Sequence, residues 1–508
     1  MGMEKKPIKK ITLIQPKSNF FNLLSSTIMP RYGITIIGTI LKDEGYDVQI
    51  FVEDISPINW ERVLDSDLIG FKVMSCTHNR TKELIAKIKG LKDIPVVLGG
   101  THATYMTDEC LGFSDFVIRK EGDESLPDLI KTLSSNGDLS KVWGLSYKIN
   151  GRIVHNPDRQ PVKVFEKNPD ISLIQGYPRK GDLRLFLGGK NRILCLQTSR
   201  GCPFNCKFCP APKMFGREYR MRSIDSVIMD IRYQMEFSKG WSFLIVDNNF
   251  AADVERTKQL LRRIIDEKIK AVFAAFVRLD VSEDEELLDL FRKAGVKILY
   301  LGMESLNDAT LKKYMKGQTR AYIEKAVSII KKHDIEILGS FALGADDDTK
   351  ETVREAVDFA IAHELTGLYM FCLIEFPLSS DNQLFPLYRI FQYDWDYSNG
   401  NFVLHFPKRM KPSALQREIM EGQRKFYTGS RIIKTFWNST WWRALHKVYF
   451  RYMWNRVHKE VERYIPYLEK IEQGYYNENE ELLEEKLERD YLDRKGVFSN
   501  FDDLKRRI

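Results

Sequence analysis

Three cysteines in one short segment, Cys202-Pro-Phe-Asn-Cys206-Lys-Phe-Cys209, are the residues whose type and spacing most directly indicate chemistry. A [4Fe–4S] cluster held entirely by protein takes four thiolates. A loop that offers only three would leave one iron open to another ligand. The alternatives are a zinc knuckle or a redox-silent thiol cluster, but structural zinc takes four ligands and no fourth Cys or His lies at knuckle spacing. The spacing therefore favours an iron–sulfur cluster with one open iron.

The other four cysteines are predicted to be structural. Cys195 lies in the apolar run 193–196 and is interpreted as a strand residue, while Cys76, Cys110 and Cys372 are isolated. Cys372 ends a predicted strand, so an orientation into a cavity is the alternative for it. Seven cysteines with three clustered fit a reducing compartment better than a disulfide framework.

The elements that must position the cysteine loop follow a βα rhythm from about residue 191. Six strands are predicted, at 192–197, 243–246, 271–276, 297–301, 336–343 and 367–374, with helices at 224–238, 254–267, 284–294, 320–333 and 350–362. This number of strands suits a partial (βα)6 barrel. Barrel enzymes hold their chemistry at the carboxyl ends of the strands. In this chain Asp247, Arg278 and Glu304 stand there.

The N-terminal part predicts a second, separate parallel sheet. Short apolar strands at 11–14, 48–52, 68–74, 96–98 and 116–118 alternate with helices at 33–44 and 79–90. Such alternation is typical of a Rossmann-like sheet covered on both faces, where ligands lie at the carboxyl strand ends. Two of these ends carry hydroxyls, paired glycines and histidines: Ser75, Thr77, His78, Gly99, Gly100 and His102.

Composition and charge narrow the class of protein. The chain has 508 residues, 43% hydrophobic and 29% charged, and a net charge of +8, which does not indicate nucleic-acid binding. The charged N-terminus does not resemble a signal peptide, and no run approaches the roughly 20 apolar residues that span a bilayer. These features predict a soluble, cytoplasmic protein that is at most peripheral at a membrane.

The C-x3-C-x2-C loop, with Phe208 before its last cysteine, resembles the signature of the radical SAM enzymes. In that family the open iron is chelated by S-adenosylmethionine (SAM), and one electron releases a 5′-deoxyadenosyl radical. The resemblance implies that Cys202, Cys206 and Cys209 ligate a [4Fe–4S] cluster. A reductant such as ferredoxin or flavodoxin is implied as a partner.

Four later segments resemble the family's SAM contacts in the expected order: Asp247–Phe250, Phe276–Arg278, Gly302–Ser305 and Gly344–Thr349. The last departs from the usual pattern at Ala345 and Asp346. The resemblance implies that Asp247, Arg278 and Glu304 bind SAM, with the Glu304 carboxylate on the ribose hydroxyls. Tyr219–Ser223 is interpreted either as a positive arm for an anion or as a surface turn before an N-cap at Ser223.

The N-terminal sheet resembles the B12-binding domain fused to many radical SAM enzymes, including its Arg119–Glu124 stretch. This resemblance implies that cobalamin is held by Ser75, Thr77, Gly99 and Gly100. His78 and His102 either face the corrin or are solvated or hydrogen-bonded residues. Gln15-Pro16 replaces the cobalt-ligating D-x-H-x-x-G pattern of one subgroup, although relatives without it also bind cobalamin. Glu121-Gly122 is interpreted as a turn that starts a capped helix.

The C-terminal region resembles that of radical SAM enzymes acting on isoprenoid lipids, such as hopanoid methylases, through Phe402–Lys408 and Met410–Gln416. Phe376-Pro377-Leu378 stands where relatives show "PGTPL". From 431 to 463, Trp437, Trp441, Trp442 and Trp454 interleave with basic residues. The stripe Trp437, Trp441, Leu445, Val448 and Tyr452 is interpreted as helix core, with contact to a lipid surface as the alternative. Residues 469–493 predict a solvated helix or frayed tail.

These observations predict a Rossmann-like domain at 1–135, a linker at 136–190, a radical SAM partial barrel at 191–377 and a mainly helical cap at 378–508. The leading hypothesis is cobalamin-dependent methylation of an unactivated carbon in a lipid or isoprenoid-type substrate. Radical carbon–carbon coupling, cyclisation or oxidation without methyl transfer, with the N-terminal domain empty or structural, is the alternative. A non-enzymatic iron–sulfur sensor is a further alternative.

Overall fold

The computed structural model of the chain describes residues 7–21, 31–177, 193–374, 384–438 and 441–493. Two compact units make up the chain. The first comprises Met1–Phe204, Ala211–Val277 and Asp289–Lys297, and the second Asn205–Pro210, Arg278–Leu288 and Ile298–Ile508. Among the described residues, no helix combines the length and the apolar character needed to cross a membrane.

The first unit begins with alternating strands and helices, as predicted. The strands are β1 (Lys10–Gln15), β2 (Asp47–Val52), β3 (Leu68–Lys72), β4 (Val96–Gly99), β5 (Phe116–Ile118), β6 (Leu145–Ile149) and β7 (Arg152–His155). The helices are α1 (Tyr32–Asp43), α2 (Trp60–Leu64), α3 (His78–Leu91), α4 (Thr101–Tyr105), α5 (Thr107–Leu111) and α6 (Ser125–Ser134). The sheet order is β2-β1-β3-β4-β5-β6-β7, and the first five strands are parallel. The predicted Rossmann-like fold is confirmed.

Part of the predicted linker belongs to this sheet. β5 pairs antiparallel with β6, and β6 pairs antiparallel with β7. Asn150 and Gly151 connect β6 to β7, both with positive φ, 50° and 76°. Asn-Gly is the preferred pair for a two-residue hairpin turn. The interpretation of residues 145–155 as part of a linker was therefore wrong, because these residues form two paired strands and the Asn-Gly pair is the turn between them.

The first unit continues with three strands of a six-stranded sheet, in the order β8-β11-β12 and parallel to one another. Their bounds, with those of the neighbouring elements, are β8 (Ile193–Leu196), β9 (Ser199–Arg200), α7 (Ala211–Phe215), β10 (Arg220–Met221), α8 (Ile224–Ser238), β11 (Ser242–Ile245), α9 (Val254–Asp266) and β12 (Val272–Val277). Cys195 is buried in β8, as predicted, and burial raises the pKa of its thiol to about 11.

Two buried arginines join this half of the barrel to the N-terminal sheet within the first unit. Arg220 makes a bidentate ion pair with Glu121, at 2.5 and 3.0 Å. Arg222 bonds the Asp230 carboxylate at 2.9 Å, and that carboxylate also accepts from the Tyr32 hydroxyl of α1 at 2.8 Å. Neither interpretation of Tyr219–Ser223 as a positive arm or a surface turn fits these buried arginines, although Ser223 does cap α8.

The substitution Arg222→Met is expected to lower the free energy of unfolding of the first unit by about 3–5 kcal/mol, because Asp230 would remain buried without its cation. Burial already raises the pKa of Asp230 against the opposing effect of Arg222. Equilibrium urea unfolding measures the cost. Arg232→Met is the matched control. Arg232 lies on α8, as Asp230 does, but its side chain is 62% exposed and pairs with Glu267 at 2.6 Å, so its loss should cost less than about 1 kcal/mol. Equal costs would contradict the burial argument.

The second unit holds the other three strands of the six-stranded sheet, with β13-β14 and β14-β15 pairs parallel. Its elements, with α10 shared between units, are α10 (Glu285–Ala294), β13 (Val296–Glu304), α11 (Asp308–Lys313), α12 (Arg320–Lys332), β14 (Glu336–Leu343), α13 (Lys350–Ala362), β15 (Gly367–Cys372), α14 (Pro412–Phe426), α15 (Gly429–Asn438), α16 (Trp441–Ile471) and α17 (Glu484–Asp493). The six predicted barrel strands and the helical C-terminal region are confirmed. Phe376-Pro377-Leu378 lies outside the described residues.

The buried side of α16 differs from the predicted stripe. Its buried residues are Ala444, Phe450, Met453, Trp454, Val457, His458, Val461, Tyr464 and Leu468. Val448 and Tyr452 are exposed, so the core interpretation is wrong for them. The side chains of Trp437, Trp441 and Trp442 lie outside the described residues. The 469–493 segment is not a frayed tail: Glu484 of α17 accepts from Tyr388 at 2.8 Å, and Leu487 is buried.

Candidate functional site

The cysteine loop is anchored by its backbone and by the ring of Phe208. In the first unit, the Cys202 amide donates to the Gly216 carbonyl at 3.2 Å. In the second unit, the Lys207 amide donates to the Tyr314 carbonyl at 3.1 Å, and the Phe208 ring lies 5.2 Å from the Tyr314 ring. Cys206 is buried, and Cys202 and Cys209 are half-buried. Three thiols on one anchored loop are a donor set that fits an iron–sulfur cluster with one open iron.

A network in the second unit connects the cysteine loop to two of the predicted SAM ligands. Arg278 follows β12, and its Nη1 lies 3.9 Å from Cys206 Sγ. Its Nη2 donates to the Lys316 carbonyl at 2.9 Å, and Lys316 Nζ donates to Glu304 Oε1 at 3.0 Å. Arg278 and Glu304 are thus connected to Cys206, a predicted cluster ligand, as a joint site requires.

Glu304 has a strained backbone conformation. Its φ is +67°, and the β13-β14 register shifts between Gly302 and Glu304. Positive φ is uncommon for a residue other than glycine and concentrates at functional sites, and bulges re-aim side chains next to such sites. A Cβ on Gly302 would lie 2.2 Å from Glu304 Oε1. Glycine at this position therefore makes room for the carboxylate.

Lys316 is the functional candidate that sequence reasoning missed. Lys316 is buried, and its ammonium group lies 5.7 Å from the centre of the Phe208 ring. The same group donates to Glu304 Oε1. In the sequence it follows Lys312 and Lys313, which are exposed. Nothing in the sequence pattern separates the buried lysine from these solvated ones.

Asp247 has both carboxylate oxygens engaged within the first unit. Oδ1 accepts from the Thr198 amide at 2.7 Å, and Oδ2 accepts from the hydroxyls of Thr198 and Ser199 at 2.6 and 2.7 Å. Burial raises the pKa of Asp247. The structure therefore gives Asp247 a role in holding the segment that enters the cysteine loop, and direct contact with SAM stays a prediction.

The Gly344–Thr349 loop is braced by the C-terminal region. Asp348 accepts from the amides of Gly344 and Ala345 at 2.8 and 2.9 Å. His405 Nε2 lies 2.8 Å from the Gly344 carbonyl, and Arg389 donates to Asp346 at 2.5 Å. Asp346, which departs from the family pattern, thus serves as the acceptor for a fully buried arginine.

His405 is expected to make this unit sensitive to acid. Burial, with Arg389 nearby, lowers the pKa of His405 to about 3 from 6.5. Between these values the unfolded chain binds more protons, so stability falls as the pH is lowered, by about 2 kcal/mol at pH 5. Asp348, with its pKa raised to about 6 from 3.8 by burial, acts in the opposite direction.

Comparison of wild type with His405→Gln, by urea unfolding at pH 7 and pH 5, isolates the contribution of the histidine. The wild type is expected to lose about 2 kcal/mol more than the variant over this interval. Equal losses would mean that His405 becomes protonated in the folded state.

The four predicted cobalamin ligands lie at the ends of β3 and β4. The Val73 amide donates to the Gly99 carbonyl at 2.8 Å, which places the two strand ends side by side. A Cβ on Gly99 would make only an ordinary van der Waals contact, at 3.8 Å from the Ile118 carbonyl oxygen, so the fold does not require glycine there. Gly100 has φ +103°, and a Cβ would lie 2.7 Å from the Val73 carbonyl, so backbone packing requires this glycine. The Thr77 hydroxyl bonds the Met74 backbone at 3.0 and 3.1 Å.

Several of these groups thus have local roles, and binding of cobalamin by Ser75, Thr77, Gly99 and Gly100 stays a prediction. Ser75 and Gly99 are both half-buried, so part of each faces solvent, as access to a bulky ligand requires. Cys372 is buried at the end of β15, its pKa raised by burial to about 12, which fits the structural interpretation.

Two family models match the chain. The model of the radical SAM superfamily matches residues 196–360, and the model of the B12 binding domain matches residues 23–130. The first range includes the cysteine loop, Asp247, Arg278 and Glu304, and the second includes the predicted cobalamin ligands at the ends of β3 and β4.

Curated relatives include methylating enzymes and a cyclase. The bacteriochlorophyllide d C-12(1)-methyltransferase of Chlorobaculum tepidum is 25% identical over 450 residues, 85% of this chain and 91% of that protein. The anaerobic magnesium-protoporphyrin IX monomethyl ester cyclase of Cereibacter sphaeroides is 30% identical over 365 residues, 68% of this chain and 57% of that protein. The hopanoid C-2 methylase of Rhodopseudomonas palustris is 25% identical over 341 residues, 66% of this chain and 60% of that protein.

A solved structure shares the fold. The radical S-adenosylmethionine methyltransferase TsrM from Kitasatospora setae, with tryptophan substrate and a SAM analogue bound, aligns with a TM-score of 0.58 and 21% identity. The alignment covers 71% of this chain and 72% of that chain. At this identity the likeness shows the fold alone.

Proposed function

The chain is a radical SAM enzyme that carries a B12-binding domain, and we propose that it methylates an unactivated carbon of a lipid or isoprenoid-type substrate. The family resemblance and the predicted cofactors, a [4Fe–4S] cluster, SAM and cobalamin, are confirmed by the two family matches. The sensor hypothesis has no support, because the relatives are named for enzymatic activities.

The network from Cys206 through Arg278 and Lys316 to Glu304 supports binding and cleavage of SAM. The match to the B12 binding domain supports methyl transfer. Cys202, Cys206 and Cys209 would hold the cluster, and Glu304 would hold the SAM ribose. When bound, the cluster and SAM supply a radical able to remove a substrate hydrogen, and cobalamin supplies a methyl group. The protein contributes position: Lys316 orients the Glu304 carboxylate, and Arg278 keeps a positive charge beside a cluster thiolate.

Methyl transfer can be measured directly with anaerobic, cluster-loaded protein. We expect bound cobalamin at about one per chain, and formation of both 5′-deoxyadenosine and S-adenosylhomocysteine from SAM when reduced flavodoxin and a lipid extract are added. With SAM labelled as CD3 at the methyl group, the label should enter a lipid of the extract. Absence of cobalamin and of S-adenosylhomocysteine, with 5′-deoxyadenosine still formed, would overturn the methylation proposal.

The alternative is radical cyclisation or oxidation without methyl transfer. The similarity to the magnesium-protoporphyrin cyclase favours it. In this case the product would be lighter by hydrogen atoms, and no CD3 label would be incorporated.

We further propose that the enzyme reaches a lipid substrate at an anionic membrane surface through α15 and α16. Ile433 and Phe436 of α15 are 60% and 56% exposed, and Val448 and Tyr452 of α16 are 47% and 59% exposed. Lys447 Nζ donates to Thr435 Oγ1 at 3.1 Å, which joins the two helices beside these residues. Exposed aromatic and aliphatic side chains among basic ones are typical of interfacial helices.

The double substitution Ile433→Asp and Phe436→Asp is expected to lower co-sedimentation with phosphatidylglycerol vesicles by about tenfold or more, since each buried apolar side chain contributes about 1.5–3 kcal/mol. Leu91→Asp is the matched control, because Leu91 is 60% exposed on α3. Unchanged binding of the double variant would contradict a membrane role for this surface.

A further inference from the structure

Two histidines and a glutamate form a cluster in the first unit that the proposed function does not use. His78 begins α3, His102 lies in α4, and Glu109 lies in α5. One ligand atom of each lies within 4.8 Å of the others, and the two imidazole rings are 4.7 Å apart. Both histidines are buried. We propose that His78, His102 and Glu109 bind a divalent transition metal, for which zinc is the natural probe.

Hydrogen bonds on the far side of each ring support this assignment. His78 Nδ1 lies 3.0 Å from Asn79 Oδ1, and His102 Nδ1 lies 3.2 Å from the Ser75 hydroxyl. An amide oxygen only accepts, so His78 carries its proton on Nδ1. In metal sites, such a bond on one ring nitrogen fixes the tautomer and leaves the other nitrogen as the ligand.

The remaining ring nitrogen of His78 faces a carboxylate. His78 Nε2 lies 3.4 Å from Glu109 Oε1. Two ligand atoms at this separation can both bind one metal ion.

The donor set indicates which metals fit. Two imidazoles and one carboxylate bind zinc with a fourth position open, and they also suit ferrous iron. Atoms bound to a tetrahedral zinc at 2.0–2.1 Å lie about 3.3 Å apart, close to the 3.4 Å between His78 and Glu109. A metal here would tie α4 and α5 to the start of α3 and, through Ser75, to the end of β3.

The test counts metals on full-length, cluster-loaded protein, in which iron occupies the three loop cysteines. After dialysis against a chelator, addition of zinc and gel filtration, mass spectrometry of the elements counts zinc separately from iron and from the cobalt of cobalamin. We expect about one zinc per chain and a rise in the unfolding temperature. Zinc K-edge absorption should show nitrogen and oxygen neighbours without sulfur. Failure of SAM cleavage would leave this result unaffected, so the two proposals are distinguishable.

Glu109→Gln should lose the zinc while its far-UV circular dichroism stays unchanged. Asp108→Asn is the matched control: Asp108 is the preceding residue on α5 but pairs with His155 at 3.1 Å, and this variant should keep the zinc. The proposal would be overturned by a zinc content near zero in the wild type, by equal zinc in Glu109→Gln, or by sulfur neighbours at the zinc.

Discussion

Alanine in place of Cys206 is expected to give a folded protein that holds no [4Fe–4S] cluster and forms 5′-deoxyadenosine only at the rate of the enzyme-free control. The predicted cluster already has one iron that no protein residue ligates, and two thiolates would leave a second iron in the same state, so the cluster would be lost. Cys206 is the buried member of the three and the one that Arg278 approaches at 3.9 Å. Iron and sulfide analysis of anaerobically reconstituted protein, with the electronic absorption near the cluster bands, measures the loss.

The control for this substitution is Cys76→Ala. Cys76 is also buried but lies in the first unit, in the turn after β3. The Cys76→Ala protein should retain about four irons per chain, because Cys76 is not among the predicted cluster ligands. A Cys206→Ala protein that keeps its cluster and its SAM cleavage would remove the basis of the proposed function.

Methionine in place of Lys316 is expected to weaken SAM binding by about 10- to 100-fold, as loss of a group that orients a ligating residue commonly does. The variant leaves the Glu304 carboxylate buried without its 3.0 Å partner, so the carboxylate is no longer held in one position. Cluster content should stay at the wild-type level, since Lys316 is not a cluster ligand. The readout is SAM affinity by equilibrium dialysis, together with KM and kcat for SAM cleavage.

Lys313→Met provides the comparison, because Lys313 is more than half exposed and pairs with Asp347 at 2.6 Å. SAM affinity of this variant should be unchanged. Glu304→Gln in the Lys316→Met background should recover stability but not affinity. If Lys316→Met bound SAM as tightly as the wild type, Lys316 would have only a structural role.

The sequence predicted strands and helices well where their apolar pattern was regular. β14 (Glu336–Leu343) and α8 (Ile224–Ser238) have the predicted bounds, and the barrel strands follow in the predicted order. The cysteine spacing, Arg278 and Glu304 were also accessible, because each lies in a loop or at a strand end whose position follows from the βα alternation.

Other features depend on residues that are far apart in the sequence. Arg220 and Glu121 are 99 residues apart, and their burial comes only from the tertiary fold. The burial of Lys316, in contrast to the exposed Lys312 and Lys313, likewise comes only from the tertiary fold. The α16 stripe was chosen by its tryptophans, whereas the buried side is defined by the packing of α14 and β15 against that helix. The Asn150-Gly151 turn, in contrast, carried a local signal for the hairpin.

The ion pairs of Arg220 and Arg222 constrain how this protein can be taken apart. A fragment that ends before β8 would expose Glu121 and Tyr32 without their partners, and a fragment that begins at β8 would bury two guanidiniums with no acceptor from the N-terminal sheet. We therefore expect exchange of the N-terminal domain between homologous enzymes to give a folded protein only when the residues on both sides of these contacts are exchanged together.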